Sequence, residues 1–262
     1  MKRKWQKEHG DDKIMAIIIK NPQQIEKMRR ASRLVKAAHE LLDKMIDVGI
    51  STRELDEAVV KFLKRNGATP SFKNYRGFPK SVCISVNDEV VHGIPSSRKL
   101  EDGDIVSIDI GAYIGGFHGD AARTYAVGEI SAENARLLEV TKQSFFEGIK
   151  FARKGCFLHQ ISAAIQDYVE GHGFSVVREL IGHGVGAALH EDPEIPNFRQ
   201  KNKGPRLRPG MTLAIEPMVN AGTHEVIFLD DDWTVVTADG KPSAHYENIV
   251  LITDGEPEIL TI

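Results

Sequence analysis

Along this chain the spacing of apolar positions changes from helical to alternating twice, in the same order each time. Asn21-Pro22 predicts a helix start, because a proline in the first turn lacks only an N–H that has no partner there. Ile25, Met28, Leu34, Val35, Leu41, Leu42 and Met45 then follow roughly helical spacing, and Gly49 is expected to close the segment. Ser51 with Glu54 three residues later has the capping-box pattern and predicts a second helix, ended by Gly67. From Ser81 the pattern becomes short β-branched runs separated by Gly and Pro. Strands are expected over Val82 to Val86, Ile105 to Tyr113 and Phe117 to Val127. After Ser131 the order repeats, with a long helix from Ala132 to about Arg153, a shorter one from Leu158 to Val169, and strands again.

The repetition extends to individual residues. Gly49, Leu55, Val59, Phe62 and Gly67 recur 106 positions later as Gly155, Ile161, Ile165, Tyr168 and Gly173. The segment from Leu100 through Gly103 to Asp109 is echoed 107 positions later from Leu207 through Gly210 to Glu216. Two matches at nearly one offset argue for internal duplication, with half-repeats of about 21–128 and 129–262 in a single domain, preceded by an extension over residues 1–20. Duplication would bring a carboxylate from each half, Asp109 and Glu216, towards a shared centre.

Composition narrows the classes. A chain of 262 residues buries a sizeable core, and a net charge of −3 argues against a general nucleic-acid or DNA binder. The basic start (Lys2, Arg3, Lys4, Lys7) reads as a solvated tail. Two cysteines without a paired spacing fit a reducing compartment. The apolar run Ile14 to Ile19 is too short to cross a bilayer or to serve as a secretory signal, so a cytoplasmic protein with no membrane association is expected.

The chemistry lies in acids that interrupt apolar strands. Asp109 sits in Ile105-Val-Ser-Ile-Asp-Ile, where an isolated carboxylate is costly unless paired, hydrogen-bonded or bound to a cation. Positions 109 and 120 are symmetric about Ile114-Gly115, so a simple hairpin would set the two aspartates face to face, and a cation between them would remove their repulsion. Glu216 lies within the apolar stretch Ala214 to Met218, and Glu247 stands just before Asn248-Ile-Val. Gly182-His183-Gly184 and His190 add imidazoles in a glycine-rich region. Four acids and several histidines at such positions call for a metal.

The ordered set Val91-His92-Gly93-Ile94-Pro95, Ile108-Asp109-Ile110-Gly111, His118-Gly119-Asp120, Gly182-His183-Gly184-Val185-Gly186, His190-Glu191, Ile215-Glu216-Pro217-Met218 and Tyr246-Glu247-Asn248 resembles the signature of type I methionine aminopeptidases. The resemblance covers roughly residues 20 to 262. Only 25 residues separate His190 from Glu216, which favours type I over type II, whose members carry a large insertion there.

The resemblance implies an α/β "pita-bread" fold, in which two pseudo-two-fold-related halves of helices on curved antiparallel sheet enclose a dinuclear site. It implies Asp109, Asp120, His183, Glu216 and Glu247 as ligands, with Asp120 and Glu247 bridging. Such oxygen-rich donors suit two divalent ions, Co, Mn, Fe or Zn, among which the sequence does not choose. A metal-bridging hydroxide is expected to attack the scissile carbonyl, with Glu216 shuttling the proton and with His92 and His190 hydrogen-bonding the substrate and the developing oxyanion. Tyr75, Phe78, Cys83 and Trp233 are expected to form the wall around a methionine side chain. His118 and His245 share strand faces with Asp120 and Glu247 and are open to supporting or surface roles.

Three departures bear on the pocket. Leu189 stands where many members have Phe, Phe72 where some bacterial members have Cys, and the usual cysteine beside His92 is missing. The expected substrates are N-termini of nascent polypeptides with a small second residue, met by a monomer in transient contact with the ribosome. The alternatives are an Xaa-Pro aminopeptidase or prolidase-like enzyme and a non-catalytic pita-bread binding protein.

Overall fold

The computed structural model describes residues 16–262. The basic start and most of the expected extension lie outside the described residues. Helix α1 (Pro22–Asp43) begins where Asn21 accepts from the Gln24 N–H and the Gln24 side chain returns the bond to Asn21. It ends six residues before Gly49, whose φ of 91° belongs to the turn into α2 (Thr52–Arg65), capped reciprocally by Ser51 and Glu54. Helix α3 (Ala132–Ile149) also stops short of its expected end, and α4 spans Leu158–Gly171.

Helices α2 and α4 have 14 residues each and coincide under the 106-residue offset. Their entries are built alike. Gly49 donates to Leu100 at 2.8 Å and Gly155 donates to Leu207 at 2.9 Å, with φ of 91° and 90° at the two glycines. Ser51 pairs with Lys99 as Phe157 pairs with Arg206, and Gly103 and Gly210 share φ near 90°.

In the first half the Ile105–Ile114 strand is central, pairing along its length with Phe117–Ala126 and, on its other edge, with Cys83–Val86 and Thr69–Pro70. Helices α1 and α2 cover this sheet, burying Val35, Leu42, Leu55, Val59 and Leu63 against Ile84, Val106, Ile108 and Ile110. The second half is a five-stranded antiparallel sheet in the order 258–259, 248–251, 212–215, 182–184 and 191–195. Helices α3 and α4 pack on a core of Phe145, Ile161, Ile165, Leu213, Ile215 and Val250. Burying each such side chain contributes about 1.5–3 kcal/mol.

The halves are sewn together. Glu89–Val91 pairs with Val235–Thr237, and the Glu247 N–H donates to the Ala122 carbonyl at 2.9 Å. Met28 and Phe117 share a core with Ala214, Ile249 and Leu251. Among the described residues no helix is long and apolar enough to cross a membrane.

Candidate active site

Asp109 and Asp120 enter on the long hairpin, in a register that differs from the simple expectation. The turn is Gly115-Gly116, flanked by the pair Ile114 and Phe117, so Asp109 faces Ala122 and Asp120 faces Gly111. The two aspartates are diagonal neighbours on one face of the sheet, because the two-residue displacement preserves the side-chain alternation. Their carboxyls are within hydrogen-bonding reach. Gly119 lets α1 lie directly on the strand: a Cβ there would sit 2.6 Å from the Ala31 carbonyl carbon. His39, on the same helix, bonds the Ala121 carbonyl at 2.9 Å and the Tyr125 hydroxyl at 2.9 Å, fastening the backbone beside Asp120.

The second half delivers its groups at strand ends. Glu216 lies outside the Thr212–Ile215 strand, contrary to expectation, because Pro217 has no N–H to continue the ladder, and Met218–Asn220 then joins a different sheet, between Ser243–His245 and Ser175–Val176. Its carbonyl accepts from the Asn197 amide at 3.0 Å. Glu247 precedes the Asn248–Leu251 strand, and the half-buried Arg123 guanidinium donates to the Glu247 carbonyl and the Asn248 side chain. His183 is on the Gly182–Gly184 strand. Its Nδ1 lies 2.8 Å from the Gly184 carbonyl, which only accepts, so Nδ1 carries the proton and Nε2 keeps its lone pair.

These side chains converge. Ligand atoms of Asp120, His183 and Glu247 all lie within 4.8 Å of one another, and all three residues are buried. Glu216 stands beside them, its Oε1 3.7 Å from His183 Nε2 and its Oε2 3.5 Å from His245 Nε2. Asp109 joins through Asp120. Burial, reinforced by neighbouring carboxylates, pushes Asp120 and Glu247 well above the usual carboxylate range. Burial also raises Asp109 to about 7, against the pull of His245, and Glu216 to about 7, against His183. One oxygen each of Asp109 and Asp120 is buried without a hydrogen-bond partner. Unpartnered buried oxygens, crowded acids and an imidazole with a free lone pair fit hard divalent cations.

The expected pocket residues also meet. Phe72, Phe78, Cys83 and Leu189 form one buried cluster, with Tyr75, Ile94 and Trp233 packed on it. Cys83 is the ladder partner of Asp109, so the apolar wall adjoins the acids. Phe78 and Trp233 meet edge to face at 5.1 Å, and His92 approaches Trp233 at 6.4 Å. His92 has φ of 61°, a strained conformation that concentrates at functional positions. Burial lowers its imidazole to about 4. His190, on an exposed bend, packs at a tilt on His183 with ring centroids 4.0 Å apart, and the crowding around its ring together with that neighbour holds its imidazole well below the usual histidine range.

Sequence reasoning did not foresee the bond from Tyr75 Oη to His190 Nδ1 at 2.9 Å, or the contribution of Ile94. Neither followed from spacing, although Ile94 lay inside a quoted motif. His245 turns inward to Glu216, whereas His118 bonds Ser71 at 2.9 Å and packs on Tyr113.

Residues 26–254 match the model of metallopeptidase family M24. The chain belongs to that family. It is 58% identical over 245 residues to methionine aminopeptidase 1 of Bacillus subtilis, covering 94% of this chain and 99% of that protein. The crystal structure of methionine aminopeptidase from Rickettsia prowazekii superposes with a TM-score of 0.92 at 38% identity, covering 94% of this chain and all of that one. Prolidase from Pyrococcus furiosus shares the fold more distantly, with a TM-score of 0.75 at 24% identity and 66% of its length covered. The pita-bread architecture and the metallo-aminopeptidase class follow from these likenesses.

Proposed function

We propose that this M24 member is a methionine aminopeptidase that removes the initiator methionine from polypeptides whose second residue is small. The observation that carries the reading is the meeting of five acid and imidazole side chains from both halves beside an apolar, aromatic cluster. Two divalent ions, Co, Mn, Fe or Zn, would be held by Asp109, Asp120, His183, Glu216 and Glu247, supplying Lewis acidity and an activated water at neutral pH.

The chain's own groups do the rest. Glu216, between His183 and His245, takes a proton and returns it to the leaving amine. His190 is neutral, and with the Tyr75 hydroxyl donating to Nδ1 its Nε2 proton is free to donate to the carbonyl oxygen as charge develops there. His92, also neutral, hydrogen-bonds the substrate amide. Phe78, Trp233, Cys83 and Tyr75 receive the methionine side chain, whose sulfur is favoured at aromatic edges. Residues 21–262 work as one catalytic domain, with half-repeats of about 21–128 and 129–262, and residues 1–20 precede it. Substrates are nascent-chain N-termini, met in the cytoplasm by a monomer in transient contact with the ribosome.

The test is a Met-Xaa-Ser panel assayed with each metal in turn. Cleavage confined to small Xaa, abolished by chelation and restored by metal, is expected. Turnover of Ala-Pro peptides in preference to Met-Ala-Ser would overturn the reading in favour of a prolidase-like enzyme, and no metal-dependent turnover of either would leave a binding protein.

A further inference from the structure

Lys20 lies at the end of the segment read from sequence as an extension, yet it is buried and reaches the neighbour of His190. Its ammonium is 2.5 Å from Glu191 Oε2, with side-chain exposures of 2% and 4% for the pair. Each group has a second partner. Lys20 Nζ donates to the Ile18 carbonyl at 3.2 Å, and the other carboxylate oxygen of Glu191 accepts from the Ala188 N–H at 3.2 Å. The turn from Gly186 to Glu191 is thus folded around one carboxylate. It leaves no room to spare, since a Cβ on Gly186 would lie 2.5 Å from Glu191 Oε1 and 2.6 Å from Lys20 Cε.

Lys20 is itself seated. Its N–H donates to the Gly210 carbonyl at 2.8 Å, and Asn21, the next residue, caps α1. A buried carboxylate deprived of its cation must find new partners or take up a proton, and either response reshapes the turn that holds it. His190 is in that turn, immediately before Glu191.

We propose that Lys20 is a positioning residue: through Glu191 it holds the 186–191 turn, and thereby the His190 imidazole, at the angle the reaction requires. The proposal rests on the role given to His190 above. The cycle of Lys20→Met, His190→Ala and the double variant, assayed on Met-Ala-Ser with bound metal and Tm followed in parallel, tests it. Lys20→Met is expected to lower kcat about 10- to 100-fold, with KM and bound metal little changed. In the His190→Ala background the same substitution is expected to remove no further activity.

Glu191→Gln keeps the shape of the pair and is carried through the same cycle, so a failure of Lys20→Met to fold does not end the test. Equal losses in both backgrounds, or unchanged kcat in both Lys20→Met and Glu191→Gln, would overturn the proposal. Wild-type turnover by His190→Ala alone would instead overturn the reading of His190, and the proposal with it.

Discussion

The two halves bring acids to one centre by different constructions. In the first half Asp109 and Asp120 stand inside paired strands of ten residues each, so ladder hydrogen bonds set their positions. In the second half Glu216 and Glu247 stand beside strands of four residues, and His183 is on a strand of three. Groups beyond the ladder place them: Asn197 at the Glu216 carbonyl, Ala122 and Arg123 at Glu247. A ligand in a long ladder inherits the rigidity of the sheet, whereas one at a strand end depends on single side chains in other elements. The second half is therefore where remote substitutions should tell.

The largest effect should come from the ladder itself. Asp120→Asn keeps the hairpin but removes a charge from the tightest group, and kcat/KM for Met-Ala-Ser is expected to fall about 10³-fold or more, with bound metal falling in parallel. Next is pH. Asp109 and Glu216, both raised to about 7 without metal, hold protons below that pH, and metal must displace them. Divalent-metal affinity should accordingly rise with pH through about 7 and, because Asp120 and Glu247 are raised as well, go on rising above it, by about tenfold per pH unit for each proton displaced. Calorimetry in buffers of different ionisation enthalpy would count those protons, and a pH-independent affinity would contradict the electrostatics described.

Smaller again, and directed at the second half, Arg123→Met removes the clamp on Glu247 while leaving the hairpin ladder in place. A loss of about 2–3 kcal/mol in thermal unfolding and a roughly tenfold weaker metal affinity are expected. If affinity stays at the wild-type level, strand-end ligands need no such support. The smallest effect is expected from Tyr75→Phe, which removes one hydrogen bond to His190. A fall in kcat of about fivefold, measured on the same peptide, corresponds to the roughly 1 kcal/mol of such a bond.

Much of this was legible beforehand because the signals are local. The reciprocal caps at Asn21–Gln24 and Ser51–Glu54 involve residues three apart, and the strand over Ile105–Ile114 follows from the β-branched residues Ile105, Val106, Ile108 and Ile110. The hairpin register was misjudged by two residues, since symmetry about Ile114-Gly115 takes no account of the two-glycine turn that the chain uses. The contacts Tyr75–His190 and Lys20–Glu191 span 115 and 171 positions, and no periodicity reports on partners so far apart.

The amino-acid order by itself determined the elements, the twofold recurrence of helices and strands, and the kinds of side chain available for a metal. Those follow from spacing, capping and the cost of burying a charge, which act within a few residues or within one strand. Only the tertiary structure decided which atoms meet: that Asp120, His183 and Glu247 form the tightest group, that His183 offers Nε2, and that Lys20 lies against the turn of His190. The reason is that such meetings depend on how the sheets and helices of both halves pack, and packing is a property of the whole chain at once.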